Sequence, residues 1–245
     1  MKKINYLLGV TLVTMLSAGF VSCGDDDEKD DGVDTTPISL FAGKDKVIEG
    51  ADTISSSNKF VAYGTKNTVH AWHVGETALK VNGKQTISIS VHPLYHLYDD
   101  PICNWGCSMD YVKNNQKQGT INSKSTSEML VYDNAGGATL LMYQFEDGKL
   151  SAVMAMVSTN HSSTLADYLG ERYLLLPYYQ GEKEYFVGMD GLDEEHAKTA
   201  VLLDLYNTST WGVMYTNASS SSKARSGEIC FDAKKELARK IIQFM

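Results

Sequence analysis

The densest group of potential metal-binding side chains in this sequence lies between residues 92 and 107. It contains two histidines, two aspartates and two cysteines: His92, His96, Asp99, Asp100, Cys103 and Cys107. Zinc is bound in proteins by these side-chain types. The spacing argues against a zinc site, because Pro93 interrupts the histidine pair and no second cysteine pair follows. We therefore predict no bound metal and no other cofactor.

Cys103 and Cys107 favour a disulfide bond instead. A regular helix across these residues would hold the two sulfur atoms too far apart, so the bond requires an irregular backbone. Together with Cys230 they make an odd number of cysteines, which in an oxidising compartment leaves one lone thiol or no pair at all.

Motifs that carry enzymatic chemistry are absent from the sequence. There is no Gly-x-Ser-x-Gly, no Ser-x-x-Lys and no His-Glu-x-x-His. The glycine-rich segment 134–138 precedes no helix, so it is no phosphate-binding loop. The acidic segment 190–195 lacks the ligand order of an EF-hand. We predict no catalytic residues and favour a non-enzymatic protein, with a hydrolase of unrecognised site as the alternative.

Aromatic residues offer a second kind of chemistry, since their rings can stack on sugars. Most such residues pack in cores or at sheet edges. Those with positions suited to an exposed strand face are Tyr95, Tyr98, Trp105, Tyr173, Tyr178, Tyr179, Tyr185 and Trp211. They make a glycan-binding protein an alternative to a module that binds or scaffolds another envelope protein.

The first 23 residues have the organisation of an export signal. Lys2 and Lys3 precede a mostly apolar run to Leu16, which is too short and too polar to be a membrane span. Small residues then lead to Cys23. This segment resembles the lipobox of bacterial lipoproteins. The resemblance implies cleavage after residue 22, acylation of Cys23 and attachment to a membrane, where several acyl chains give stable anchoring.

An acidic segment follows the cysteine directly. Asp25, Asp26, Asp27 and Glu28 begin a run that contains seven acids up to Asp34. Like charges at this density repel, so residues 23–36 are predicted to be an extended tether. The run also resembles the signal that sends lipoproteins of some Gram-negative gut commensals to the outer face of the outer membrane. We therefore expect the cell surface rather than the periplasmic face.

Net charge excludes one class of partner. The chain carries a net charge of −8, and removal of residues 1–22, which contain two lysines and no acids, makes this −10. Nucleic-acid binding requires a basic face, which this composition does not favour. The 14 tyrosines and 20 glycines, with only 4 prolines, favour strands and hairpins over helices.

Short strands are predicted throughout residues 37–93, which we expect to form a small Ig-like β-sandwich. Asn82-Gly83 predicts a hairpin, and Ile87, Ile89 and Val91 alternate with polar residues. The segments 60–62, 67–71, 74–77 and 87–91 resemble the C-terminal part of group 2 bacterial Ig-like (BIG2) domains. At 57 residues the region is shorter than a full Ig sandwich.

Residues 94–216 are predicted to form an α+β domain, an antiparallel sheet with helices on one face. Ser108 is expected to cap a first helix, and Ser162 or Ser163 a second. Asp147-Gly148 predicts a hairpin. The order of helix, three strands, helix and four strands suggests an internal duplication, without a residue-level repeat.

Residues 217–245 are predicted to be a serine-rich loop and a C-terminal helix that docks on the sheet, with Leu237, Ile241 and Phe244 on one stripe.

Overall fold

The computed structural model describes residues 32–221, except 181–182 and 194. Within these residues the fold is mainly β, with two α-helices and two short 3-10 turns. An Ig-type sandwich precedes a large antiparallel sheet that carries both helices on one face. The predicted fold class is confirmed.

Seven short strands form the sandwich. They are β1 (Ile38–Phe41), β2 (Asp45–Val47), β3 (Ile54–Ser56), β4 (Ala62–Thr65), β5 (Thr68–Ala71), β6 (Gly75–Val81) and β7 (Gln85–His92). One sheet has the order β1-β7-β6-β3 and the other the order β2-β5-β4. If the strands are lettered A to G along the chain, these sheets are AGFC and BED. This is the immunoglobulin topology with strand A moved beside G, to which it runs parallel.

The sandwich core follows the alternation of its strands. Ile87, Ile89 and Val91 of β7 are buried, as the period of two predicts. The predicted Asn82-Gly83 hairpin is present, with φ of 50° and 70° at the two turn residues. A complete seven-strand sandwich fits into so short a region because five of its strands have only three or four residues.

Two strands of the sandwich differ from the sequence prediction. The sequence from Lys59 to Tyr63, followed by Gly64, predicts a strand that ends at the glycine. In the structure residues 59–61 form a turn and β4 begins at Ala62. Gly64, expected to break the chain, lies inside β4. Strand β3 was not predicted, because its short sequence Ile-Ser-Ser contains one apolar residue and no visible alternation.

The second part begins with α1 and ends with β15. Its elements are α1 (Met109–Asn115), β8 (Thr120–Ile121), β9 (Met129–Ala135), β10 (Ala138–Glu146), β11 (Lys149–Ser158), α2 (Ser162–Gly170), β12 (Leu174–Gln180), β13 (Lys183–Met189), β14 (Thr199–Asn207) and β15 (Thr210–Asn217). The strands make one sheet in the order β12-β13-β14-β15-β11-β10-β9-β8.

This sheet consists of two equivalent halves. Each half is a helix followed by four strands, α1 with β8 to β11 and α2 with β12 to β15. Within each half the strands are neighbours in chain order, and the last strands of the halves, β11 and β15, pair antiparallel at the centre. The topology therefore has an approximate two-fold symmetry, and the two-residue β8 gives the first half the same number of strands as the second. The internal duplication stays a prediction.

Both helices pack on the same face of the sheet. Val112 of α1 and Leu165, Tyr168 and Leu169 of α2 belong to the same buried cluster as the inward side chains of the strands. The Ser108 side chain caps α1 as predicted, accepting from the Tyr111 N–H. At the start of α2 the cap position is His161, without a side-chain bond, because a 3-10 turn (Thr159–His161) leads directly into the helix.

The sequence predicts the hairpin between β10 and β11 correctly, but it places the turn between β9 and β10 over too many residues. Asp147-Gly148 joins β10 to β11 with φ of 50° and 72° at the two residues. The sequence of residues 133–137 predicts a loop. In the structure residues 133–135 extend β9, and only Gly136 and Gly137 make the turn.

The sandwich contacts the sheet around the end of α2. The carboxylate of Glu171 is buried and accepts hydrogen bonds from the N–H groups of Leu94 and Tyr95, each at 3.0 Å. The backbone carbonyl of Glu171 accepts from the Val74 N–H at 2.8 Å. Leu174 packs against the sandwich core. One residue at the helix end therefore binds both the loop after β7 and the turn before β6.

The predicted boundaries stay predictions. Between residues 93 and 94 no regular element crosses the boundary, since β7 ends at His92 and α1 starts at Met109. Val33, which belongs to the predicted tether of residues 23–36, packs against the sandwich core. The predicted signal peptide, residues 1–22, and the predicted C-terminal helix lie outside the described residues.

Candidate functional site

A groove runs between the sandwich and the loop that follows β13. It has two adjoining lobes, of about 490 Å³ and about 400 Å³. Ser56, Lys59 and Leu192 line both lobes. Each lobe has a volume typical of sites that bind small ligands. Leu192 and its neighbours belong to the loop that joins β13 to β14 of the large sheet. The groove is therefore built where the sandwich meets this loop.

The larger lobe is lined by two exposed aromatic rings. Tyr63 of β4 and Trp72, which follows β5, are each 39% exposed. Their ring centroids are 6.0 Å apart and their planes are nearly perpendicular, at 83°. Strand alternation explains the position of Tyr63, because its neighbour Ala62 is fully buried and its cross-strand partner is the outward-facing His70.

Neighbouring rings hold Trp72 in place. Its indole lies 4.4 Å from the ring of His73 and 6.3 Å from that of Phe60, centroid to centroid. The rings of Phe60 and His73 are themselves stacked at 4.0 Å. A ring that is fixed by packing loses little side-chain entropy when a ligand binds to it.

Gly64 shapes the floor of this lobe. A Cβ at this position would lie 2.5 Å from Cβ of Ile54 and 2.7 Å from the Ile54 carbonyl oxygen. Only glycine therefore allows β4 to approach β3 so closely. Both residues line the lobe, so the close approach brings Tyr63 beside the serines of β3.

The smaller lobe is polar. Its walls carry hydroxyl, amide, amino, carboxylate and imidazole groups from Ser56, Ser57, Asn58, Lys59, Asp190, Asp193 and His196. Asp190 accepts hydrogen bonds from the N–H groups of Lys198 and Thr199, at 2.7 and 2.8 Å. Asp190 thus fixes the loop to the start of β14.

An ion pair organises the tip of the loop. Nδ1 of His196 lies 2.6 Å from Oδ1 of Asp193, and the same oxygen accepts from the His196 N–H at 3.0 Å. The hydrogen bond from the His196 side chain holds the pKa of Asp193 below its usual value, and the bond to Asp193 raises the pKa of His196. Both groups are exposed to solvent, so water and salt screen the pair.

The arrangement suits recognition of a ligand with one apolar face and many polar groups. Tyr63 and Trp72 offer flat apolar surface, and the adjoining lobe offers donors and acceptors within one groove. The two aspartates of the loop already accept hydrogen bonds within the loop. These hydrogen bonds hold the carboxylates of Asp190 and Asp193 in fixed positions at the wall of the smaller lobe.

The cluster considered for zinc is dispersed in the structure. The His92 ring contacts Phe41, with 6.4 Å between centroids. His96 and Asp99 are 3.6 Å apart at the surface, and Asp100 binds Arg172 at 2.6 Å. No three His, Cys, Asp or Glu side chains of the described residues lie close enough together to hold a metal ion.

The expected Cys103–Cys107 disulfide is not formed in the structure, where both residues are free thiols. Burial raises the pKa of the Cys103 thiol above its ordinary value, which keeps it protonated and unreactive. The backbone turns tightly between the two residues, with the Cys107 N–H donating to the Asn104 carbonyl at 3.0 Å.

The aromatic residues singled out from the sequence do not form the exposed pair. Tyr98 and Tyr185 are fully buried, and Tyr173 and Trp105 pack against the core beneath the helices. Tyr63 and Trp72 were missed because one lies in β4 and the other follows β5, and only the pairing of these two strands brings their rings together. The alternation of the strands contains a signal that could have found them. Ala62 of β4 and Ala71 of β5 point inward, so the residue after each of them, Tyr63 or Trp72, points outward.

Cys23 and the acidic residues Asp25, Asp26, Asp27 and Glu28 lie outside the described residues. In the part of the chain from residue 32 to 221 that is described, no helix has the length and apolar character to cross a membrane.

Comparison with known proteins identifies no relative: no family model, no curated protein and no solved structure matches the chain.

Proposed function

We propose that this protein is a lipid-anchored protein of the bacterial outer membrane that is displayed at the cell surface and binds a polysaccharide in the groove. It acts without catalysis. The observation that carries the ligand class is the exposed pair Tyr63 and Trp72 beside a polar lobe.

The anchor is supported by the sequence of the first 34 residues. A basic start, a short apolar run and small residues before Cys23 precede a dense acidic segment. Such a segment keeps the folded part at a distance from the membrane surface, because its like charges extend the chain. A binding site on a tethered domain can then reach material outside the cell.

The sugar is supported by the combination of surfaces. Pyranose rings present an apolar face of C–H groups and a rim of hydroxyls, and the groove offers aromatic rings and hydrogen-bonding groups side by side. A globular protein partner would need a larger total contact area than one groove of this size provides. Protein scaffolding is therefore the second outcome of the experiments below.

A glycan array followed by calorimetry tests the ligand class. We expect binding to at least one polysaccharide, and Trp72→Ala to weaken it about tenfold or more. The exposed part of an indole is roughly 100 Å², which corresponds to about 2 kcal/mol when a ligand covers it. Tyr111→Ala, at an exposed ring on α1 that lines neither lobe of the groove, is the matched control and should leave the affinity unchanged. An array without a single hit, or equal affinities of the Trp72 and Tyr111 variants, refutes the sugar-binding groove.

The anchor requires a separate experiment. Cells grown with a labelled fatty acid should label the protein, and Cys23→Ser should abolish both the label and membrane attachment. Protease added to intact cells should then cleave the wild-type protein. An unlabelled protein refutes the anchor, and resistance to protease until the outer membrane is broken refutes surface display.

A further inference from the structure

The large sheet has a second apolar face, opposite the helices. Its buried members all come from strands, and five of them are methionines: Met129, Val131, Met142, Ala152, Met154, Met156, Tyr185, Leu202 and Met214. We call these nine residues the methionine face. Both described α-helices belong to the opposite cluster, and no helix residue of the described chain is among the nine.

Strand β11 demonstrates that both faces are apolar. Val153, Ala155 and Val157 point to the helices, and Ala152, Met154 and Met156 to the methionine face, each at most 4% exposed. An antiparallel sheet with one wet face would alternate apolar with polar residues. A continuous apolar strand such as β11 is instead typical of a sheet that is covered on both sides.

The register aligns five residues of the methionine face and the neighbouring Val187 into a straight row across the sheet. Val131, Met142, Met154, Met214, Leu202 and Val187 are successive cross-strand partners on six neighbouring strands. At the usual spacing of strands this row is about 24 Å long. Soluble monomers rarely leave an apolar patch of such size open to water.

We propose that residues 231–245 form an amphipathic helix that lies along this row and covers the methionine face. A helix of this length measures about 22 Å, which matches the row. Leu237, Ile241 and Phe244 share one stripe of such a helix, and its lysines and arginine lie elsewhere.

The position at which the described chain ends supports this occupant. Strand β15 lies at the centre of the sheet and ends at Asn217. Residues 222–230 can extend about 30 Å, so a following helix can reach any part of the face. The apolar leader cannot serve in its place if residues 1–22 are removed, a point that rests on the proposed processing at Cys23.

Methionine suits this role chemically. Its unbranched, polarisable side chain adapts to the shape of whatever packs on it. A row of methionines can therefore accept the leucine, isoleucine and phenylalanine of one helix stripe without exact complementarity.

Photo-crosslinking of the full-length protein tests the contact. A benzophenone amino acid at Phe244 should form intramolecular crosslinks to peptides that contain Met142, Met154 or Met214, since benzophenone reacts readily with methionine. The same probe at Gln243, which lies about 100° around the helix from Phe244 and outside the stripe, should not. Crosslinks from residue 244 to a second copy, to lipid, to another protein or to the helix-bearing face would overturn the proposal, as would equal crosslinking from both positions.

Methionine oxidation provides a second readout that needs no deletion of the segment. Leu237→Asp should raise the rate of oxidation of Met142 and Met154 by peroxide about tenfold, because seating an unpaired carboxylate on an apolar face disfavours docking by at least that factor. Gln243→Asp adds the same charge and should leave the rate unchanged. Met109 belongs to α1 on the opposite face of the sheet, so its oxidation rate should stay unchanged and serves as the internal reference. Unchanged rates at Met142 and Met154 in Leu237→Asp would overturn the proposal. Neither readout involves the groove, so its outcome is independent of sugar binding.

Discussion

Removal of the Glu171 carboxylate should loosen the contact between the sandwich and the large sheet. This side chain is buried, and its two oxygens accept from the Leu94 N–H while Oε2 also accepts from the Tyr95 N–H, all at 3.0 Å. In Glu171→Ala both backbone donors lose a charged acceptor. Hydrogen bonds to charged groups contribute about 1.5–3 kcal/mol each, so the expected loss is about 3–5 kcal/mol of unfolding free energy.

Glu171→Gln separates the charge from the geometry. One amide oxygen can still accept from both N–H groups, so this variant should lose only about 1–2 kcal/mol. Because the groove is built from both parts of the protein, Glu171→Ala should also weaken any ligand of the groove, and Glu171→Gln should weaken it less.

Urea denaturation followed by tryptophan fluorescence provides the measurement. A loss of 3–5 kcal/mol should lower the midpoint of Glu171→Ala by roughly 1–2 M urea at an unchanged slope. Glu146→Ala, at an exposed position at the end of β10, is the control and should stay within about 0.5 kcal/mol of wild type. A loss below about 1 kcal/mol in Glu171→Ala would refute the reasoning that this carboxylate holds the two parts together.

Three further substitutions test other parts of the structure. Burial lowers the pKa of His73 below the ordinary histidine value of about 6.5. The folded protein therefore prefers the neutral imidazole, and the stability that this gives is complete above pH 6.5 and is lost as the pH falls toward the lowered pKa. Between pH 7.5 and 5.5 the wild type should lose more unfolding free energy than His73→Gln does. Gly64→Ala should lower the unfolding free energy, measured by heat or urea, by about 1–3 kcal/mol through overpacking. Gly170→Ala places its new Cβ with no atom within 4 Å and should leave the unfolding free energy unchanged. Equal effects of the two substitutions would contradict the close approach of β4 to β3. The hydroxyls of Tyr98 and Tyr215 are buried and 2.6 Å apart. Each single change to Phe should therefore lower the unfolding free energy by about 1–2 kcal/mol, and the double change should lower it by less than the sum of the two. Simple additivity of the two losses would contradict the pairing.

Local chemistry made much of the fold predictable. The Asn82-Gly83 and Asp147-Gly148 turns need residues that accept positive φ, and the sequence places such residues between alternating strands. Ser108 supplies a helix cap within its own segment. These features depend on a few neighbouring residues, so a single sequence reveals them.

The groove could not be predicted in the same way. Its walls come from residues 54–72 and 190–196, which are more than one hundred positions apart in the chain. Their contact depends on how the sandwich packs on the sheet, and no periodic pattern encodes that packing. Strand β3 shows the same limit at small scale, because Ile-Ser-Ser becomes a strand only through its pairing with β6.

The central pairing of β11 with β15 has a consequence for how the chain completes its fold. The two strands pair from Ala152 with Thr216 to Ser158 with Thr210, and β15 is the last strand of the described chain. Until it is in place, β11 and β14 each present a row of unpaired N–H and C=O groups, which is a template for association with other chains. Carrying both halves on one polypeptide makes this closure intramolecular and independent of protein concentration. A chain interrupted before Thr210 would therefore keep two open edges in the middle of an otherwise finished sheet.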